Sequence, residues 1–435
     1  MKKVLLIGNG AREHVIGETL KRSGAAVYTY GKARNPGLVT LSEGYETGSL
    51  NDFDHIGKYA HAVSPDFAVI GPDDPIADGV ADLLLGMEIH SMAPLKTVAR
   101  LESSKSFARD LVKKHGIPGN PDFMVFYDEN GLEDFLRSLG GNYVVKADGL
   151  MGGKGVKVSG EHLADEAAGL AYARECLKTT GRVVVEEKLI GQEFSLMSFC
   201  DGINTAEMPA VQDHKRAYEG DKGPNTGGMG SYSDTNHLLP FLTQKDIDDA
   251  AEITKQVAAA LFKETGSEFK GIMYGGFIAT ANGVKLIEYN ARFGDPEAMN
   301  VLPILETDFV GICEAVINGD LKNIPMTFQK KATVCKYICP EGYPDNARKG
   351  EKIEIAEVPE GVKMYYSSVD QTPEGLLLSS SRAVAFVGIA DNLKEAEKLA
   401  ESACGSVKGP VFYRKDVGTA ELIAKRVQMM KELRG

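Results

Sequence analysis

Val144-Val145-Lys146-Ala147-Asp148-Gly149-Leu150-Met151-Gly152-Gly153-Lys154-Gly155-Val156 sets a lysine in an apolar run and follows it with four glycines and a second lysine. The apolar residues on either side predict two strands, joined by a loop rich in backbone N–H donors. The loop is not a Walker loop, because no G-x-x-x-x-G-K-[ST] leads into a helix. A lysine on a sheet beneath a glycine flap suits a triphosphate held between two sheets. The plainer alternative is a mobile surface hairpin with a solvated lysine. It does not explain why Lys146 interrupts an otherwise apolar strand.

Downstream, Val183-Val184-Val185-Glu186-Glu187-Lys188-Leu189 is a β run ending in two carboxylates, and Glu193 follows. A strand ending at a hinge can offer backbone N–H and C=O to an adenine edge, and a nearby carboxylate can accept both ribose hydroxyls. Further on, Gly271 to Thr280 and Val284 to Tyr289 alternate as strands, with Asn282-Gly283 as the hairpin signal. Glu288 and Asn290 lie two apart and therefore share a sheet face. Two oxygen ligands on one face suit Mg²⁺ bridging phosphate oxygens. Arg292 follows, before Gly294-Asp295-Pro296-Glu297, and supplies the charge neutralisation that phosphoryl transfer needs. A turn centred on Asn282-Gly283 would put Phe277 opposite Glu288, leaving no carboxylate in that slot.

At the start of the chain, Gly8-Asn9-Gly10-Ala11-Arg12-Glu13 follows a strand and opens a helix. It matches a dinucleotide fingerprint in its first two glycines only. Glu13 at the third position would crowd and repel a pyrophosphate, which disfavours a nicotinamide oxidoreductase. The loop still offers a helix N-terminus to one phosphate. Gln212-Asp213-His214-Lys215-Arg216 and Gly223-Pro224-Asn225-Thr226-Gly227-Gly228-Met229-Gly230 form a long polar segment, read as a functional loop. His214 within it is a base or a solvated loop histidine.

The chain has 435 residues, with 49 Lys+Arg against 61 Asp+Glu, for a net charge of −12. That balance disfavours sequence-independent nucleic-acid binding. No run reaches the ~20 apolar residues of a membrane span. The apolar run before Gly8 is too short for a signal-peptide core. Six irregularly spaced cysteines show no zinc pattern and fit a reducing cytoplasm. The 48 glycines are about 11% of the chain against a typical ~7%.

Strand and helix signals alternate over 1–100 and predict a parallel, helix-covered sheet. Helices are expected at Pro94 to Glu102, Ser103 to His115, Glu161 to Leu177, Gln244 to Glu264 and Leu393 to Cys404. A small α+β section runs over about 121–190 and a second sheet-rich section from 192 to about 325. The last section, 326–435, has strand candidates at Thr333 to Ile338, Leu376 to Leu378 and Ala383 to Val387.

Together GNGAREH at 8–14, GPDDP at 71–75, LESSKSFARD at 101–110, VVKADGLMGGKGV at 144–156 and VVEEKLIGQEFS at 184–195 resemble the ATP-grasp superfamily. QDHKR at 212–216, GPNTGGMGSYS at 223–233 and LIEYNARFGDPE at 286–297 narrow the resemblance to its phosphoribosylamine–glycine ligase family. The resemblance implies an α/β and α+β multidomain fold. It would comprise a Rossmann-like parallel sheet (1–100), an ATP-grasp pair of sheets (101–325, flap-bearing part about 121–190) and a small C-terminal α+β domain (326–435).

It also implies an ATP-dependent ligase that joins glycine to 5-phosphoribosylamine in purine biosynthesis, through a glycyl phosphate. Lys105 and Lys146 would contact ATP phosphates, under a flap carrying Gly149, Gly152, Gly153, Lys154 and Gly155. Glu186, Glu187 and Leu189 would line the adenine, and Glu193 would take the ribose. Glu288 and Asn290 would hold Mg²⁺ or Mn²⁺. Arg292 and Asp295 would lie by glycine and the acyl phosphate, and with Lys146 they form the catalytic set. Gly10, Asp213 and Lys215 would face the phosphoribosylamine. The implied enzyme is a cytoplasmic monomer, binding neither nucleic acid nor membrane, with transient contact to the preceding amidotransferase. Ala11, Asp73 and Ser380-Ser381 depart from the usual family pattern. Within the superfamily, a carboxylase or a formate-using ligase would share the nucleotide site. Segments 212–230 and 291–297 argue against both. A nucleotide-binding regulator with a dead site is disfavoured by intact Lys146, Glu288, Asn290 and Arg292.

Overall fold

The computed structural model of the chain describes residues 1–152 and 155–435. Near the N-terminus, Lys3–Ile7, Ala26–Gly31, Gly44–Thr47, Phe67–Ile70 and Ser91–Met92 form one parallel sheet with Lys3–Ile7 at its centre. Val4 to Ile7 and Phe67 to Ile70 are buried throughout, as expected of strands covered by helices on both faces. The chain winds out to one side of Lys3–Ile7 and then returns to the other. The loops after Lys3–Ile7 and Phe67–Ile70 therefore open side by side, where such sheets bind ligands.

The flap-bearing sheet is antiparallel, in the order Phe123–Phe126, Val183–Glu187, Tyr143–Ala147, Val156–Val158. Tyr143, Val145, Ala147, Val183 and Val185 share a core with residues of the helices Leu132–Ser138 and Glu166–Thr180. Strand alternation leaves Lys146 and Glu186 on the opposite face. The second helix starts later than the expected Glu161. Its cap is Asp165, whose carboxylate accepts from Ala168 N, while Ser159 and Leu163 close a turn before it.

The second antiparallel sheet runs Thr205–Glu207, Gln192–Asp201, Lys270–Thr280, Gly283–Asn290. Its hairpin differs from the expected one. Thr280 pairs with Gly283, so the turn residues are Ala281 and Asn282 rather than Asn282 and Gly283. Phe277 then faces Leu286, not Glu288, and a bulge puts Gly276 opposite Glu288. The inference that this slot holds no carboxylate survives for a different reason. The bulge makes Ile287 an extra residue. Val284, Leu286 and Tyr289 all enter the core, and Glu288 and Asn290 stay on the other face, half-buried.

The polar segment 212–233 is not a long loop. Gln212–Asp213 and Gly230–Ser233 join a sheet with Ala332–Pro340, Val384–Ala390 and Val362–Tyr366. Between them Arg216–Tyr218 and Lys222–Asn225 form a hairpin. Helix Leu393–Cys404 covers this sheet, and a final helix, Ala420–Arg434, returns to the second sheet. There Arg434 meets both Asp246 oxygens, at 2.7 and 2.9 Å.

Candidate active site

Lys146, Glu186 and Arg109 form a buried ion triad. Lys146 Nζ lies 2.8 Å from Glu186 Oε2 and donates to the Ile287 carbonyl at 3.0 Å. Arg109 grips both Glu186 oxygens, at 2.6 and 2.9 Å. Burial draws the Lys146 ammonium below the ordinary lysine range, with Glu186 opposing. Burial works against the Glu186 charge, but Arg109 and Lys146 prevail and lower its pKa. The Glu186 carboxylate is thus committed to these cations. The expected adenine lining by Glu186 therefore does not draw on a free carboxylate. Glu187 accepts from Asp122 N at 2.9 Å, and Leu189 lies just beyond on the connection to Gln192.

Lys105 opens the helix Lys105–Lys114 and donates to the Gly149 carbonyl at 2.8 Å. It thereby ties that helix to the start of the glycine flap. Asp148 fixes the same junction, accepting from the Ser104 and Ser106 hydroxyls and meeting Arg182 at 2.6 Å. Gly149, Gly152 and Gly155 flank the flap's tip. The expected phosphate contacts of Gly153 and Lys154 lie outside the described residues.

Glu288 stands in a field of cations. Burial raises its pKa, but Lys215, Lys146, Lys105 and Arg292 outweigh that and hold the carboxyl below its ordinary value. Lys215 Nζ sits between two carboxylates, 3.8 Å from Glu193 and 3.9 Å from Glu288. Burial opposes its charge; those two carboxylates push its pKa up. Asn290 Oδ1 accepts from Arg292 Nη2 at 3.2 Å. Lys105, Lys146, Lys215, Arg292, Glu193, Glu288 and Asn290 are therefore assembled around one space.

A second group lies by the N-terminal sheet. Arg292 is 3.2 Å from Glu102, whose other oxygen accepts from Ala291 N at 2.8 Å. Burial opposes the Arg292 charge, and Glu102 and Asp73 more than offset it. Gly10 is less available than its motif suggested, since its N–H donates to Glu13 at 2.6 Å. Glu13 itself packs beneath the loop, in space that a side chain at Gly8 or Gly71 would fill. A carboxylate side chain thus stands where the dinucleotide fingerprint has its third glycine.

Asp295 accepts from Tyr337 OH at 2.7 Å and pairs with Arg382 at 3.1 Å. Arg382 also donates to the Gly227 and Gly228 carbonyls, at 2.7 and 3.0 Å, and stacks on Tyr337. Gly228 has φ +108°, and a Cβ there would meet Pro296 at 2.6 Å and Asp213 at 2.8 Å. Asp213 and Asp295 are therefore neighbours. Burial first, then Glu297, push Asp213 well above the ordinary carboxylate range. His214 is no solvated loop residue. It is buried, faces the Gly230 carbonyl, and burial lowers it to about 4, which suits a neutral packing role. Arg109, Glu102, Tyr337 and Arg382 went unassigned in the sequence reading. Each acts through a partner far along the chain, so no local spacing marks it.

Two antiparallel sheets, one bearing a glycine flap and a buried lysine, with a carboxylate–amide pair on the other, define an ATP-grasp enzyme. Three family models match: the phosphoribosylglycinamide synthetase N domain over residues 2–102, its ATP-grasp (A) domain over 103–298 and its C domain over 333–420. The phosphoribosylamine–glycine ligase of Methanosarcina barkeri is 47% identical over all of both chains. That of Methanocaldococcus jannaschii is 48% identical, over 99% of this chain and all of the relative. The crystal structure of the Thermotoga maritima ligase superposes with a TM-score of 0.80 at 28% identity, covering 95% of this chain and 99% of that one. The chain belongs to the phosphoribosylamine–glycine ligase family. A biotin carboxylase from Campylobacter jejuni, at 14% identity and TM-score 0.73, shares the fold alone.

Proposed function

We propose that the chain joins glycine to 5-phosphoribosylamine, converting ATP to ADP and phosphate, as a step of purine biosynthesis. One observation carries the reading of the site: Glu288 and Asn290 share a face of the second sheet, amid Lys105, Lys146, Lys215 and Arg292. That set matches a polyphosphate with a divalent cation. A glycine carboxylate oxygen attacks the γ-phosphorus, and the bond to ADP breaks. The amine of phosphoribosylamine then attacks the glycyl carbonyl carbon, loses a proton and expels phosphate. Phosphorylation is needed because oxide is a poor leaving group. The work of the chain is positioning and charge neutralisation.

Glu288 fits a hard cation. Its carboxylate is half-buried and faces the site, and Asn290 adds a neutral oxygen. Among the described residues no cluster of three or more His, Cys, Asp or Glu could hold a metal. A two-ligand site completed by nucleotide phosphates is the pattern expected for Mg²⁺. When bound, the ion would neutralise phosphate charge; Mn²⁺ suits the same donors. Lys105 and Lys146 contact the phosphates, Gly149, Gly152 and Gly155 cover them, and Glu193 takes the ribose. Arg292 and Asp295 serve glycine and the acyl phosphate. Asp213, Lys215 and the Gly10 loop serve the sugar phosphate. We assign residues 1–100, 101–325 and 326–435 as the three domains. We also infer a cytoplasmic monomer that makes transient contact with the preceding amidotransferase. No helix among the described residues is long and apolar enough to cross a membrane.

ADP release is measured with ATP, glycine and phosphoribosylamine, omitting each in turn. Full activity requires all three. ADP formation that persists undiminished without glycine would undo the ligase reading.

A further inference from the structure

The bulge at Ile287 decides which face Glu288 and Asn290 occupy. Gly276 pairs with Glu288 and Phe277 with Leu286, so Ile287 has no partner across the hairpin. Without the extra residue, strict alternation would send Glu288 and Asn290 the way of Val284 and Leu286, into the core. A displaced carbonyl in a part-buried place needs donors. Arg109 Nη2 reaches the Ile287 carbonyl at 2.7 Å, and Lys146 Nζ reaches it at 3.0 Å. Arg109 Nη1 also takes the Leu286 carbonyl, at 3.0 Å, and Asn120 Oδ1, at 3.1 Å. With Glu186 on its remaining edge, all five guanidinium N–H groups are used. Arg109 is 3% exposed, and its guanidinium is spent on the strand backbone, Asn120 and Glu186.

We propose that Arg109 is a positioning residue for the Glu288–Asn290 pair, acting by pinning the bulge through the Leu286 and Ile287 carbonyls. This rests on the reading of that pair as the metal-holding donors. All five donors of Arg109 are taken by protein groups, so it acts on the pair through the strand backbone. It sets the register that aims them, while Glu186 balances its charge.

Binding of ADP is followed by calorimetry across a Mg²⁺ series, beside thermal melts and turnover. Arg109→Met leaves the Glu186 carboxylate to Lys146 alone and lowers the melting temperature. It also shifts the Mg²⁺ midpoint for ADP binding upward by about 10- to 100-fold, the usual effect of losing a ligand's supporting partner. Lys336→Met is the control: it strips a buried lysine from Glu397 and Glu401 away from the site, so the melting temperature falls and the Mg²⁺ midpoint does not move. Arg109→Lys keeps a charge and three donors and retains most of the Mg²⁺ response. A midpoint that moves as far in Lys336→Met as in Arg109→Met would show Arg109 to be merely structural and overturn the proposal, as would an unshifted midpoint in Arg109→Met. Glu288→Gln separates this from the underlying reading. It must lose the Mg²⁺ response with Arg109 intact, and retention there overturns the metal assignment itself.

Discussion

Two lysines interrupt apolar strands and are buried, yet they do different things. Lys336, on Ala332–Pro340, has a fully buried side chain. Its ammonium meets Glu397 at 2.6 Å, Glu401 at 2.7 Å and the Lys415 carbonyl at 2.8 Å. Three donors have three acceptors, and nothing is left to offer a ligand. Lys146 meets only Glu186 and the Ile287 carbonyl among the described residues, with Arg109 drawing on the same two acceptors. Its surroundings are short of acceptors and rich in cations, and an anionic oxygen would complete them. A buried lysine with saturated donors is a structural pin; one with a donor to spare is open to an anionic ligand, the role proposed for Lys146.

The harshest test of that contrast lies beside Lys146. Glu288→Ala abolishes turnover and leaves the circular dichroism spectrum and melting temperature near wild type. Near-normal kcat at saturating Mg²⁺ would remove the metal assignment. Lys146→Met follows, with kcat/KM for ATP down by about 10²- to 10³-fold, the scale of losing one charge-stabilising donor. Unchanged nucleotide affinity and rate would end its phosphate role. Lys336→Met reverses the pattern. Two carboxylates lose their shared cation, and stability drops by about 3 kcal/mol in denaturant titration, while kcat per folded molecule holds. If turnover fell as far as in Lys146→Met, the two lysines would not be different in kind.

A smaller effect concerns His14, in the helix Ala11–Arg22. Its Nδ1 accepts from Tyr366 N at 2.9 Å, and burial lowers it to about 4. The native ring stays neutral where the unfolded chain binds a proton, so the unfolded state is favoured as pH falls. His14 therefore costs stability progressively from about pH 6.5 down to about 4, by up to about 3 kcal/mol. Thermal melts across that window should steepen with acid. His14→Gln should flatten the slope without changing kcat at neutral pH. An unchanged slope would show that His14 is already charged in the native protein.

The parallel sheet and the flap strands were legible because their apolar runs are continuous and their glycines local. Lys146, Glu288 and Arg292 were singled out by the residue types the chemistry needs, and the fold brings them around one space. The turn could not be placed, because Asn282-Gly283 is a strong hairpin signal and the actual pair sits one residue earlier. Segment 212–233 read as loop because its strands are only two to four residues long, and Gly230–Ser233, which ties Gln212–Asp213 into a larger sheet, finds its partner beyond residue 330. Arg109 and Arg382 were invisible as site residues, since their partners lie up to 178 and 155 positions away in sequence. Lys146 and Lys336 carry the same local signal, and only their acceptors tell them apart.

Pairing of Gly230–Ser233 with Ala332–Pro340 also bears on how the protein is made. On the ribosome, the segment that carries Asp213, Lys215 and Gly228 emerges well before the strand it pairs with. Until synthesis reaches that strand, Gly230–Ser233 presents an unpaired backbone edge, an adhesive surface for other nascent chains. A fragment ending near residue 325 would keep the nucleotide lysines and the metal pair yet expose that edge for good. Such a piece should be prone to self-association, and supplying residues 326–435 as a separate chain should suppress it.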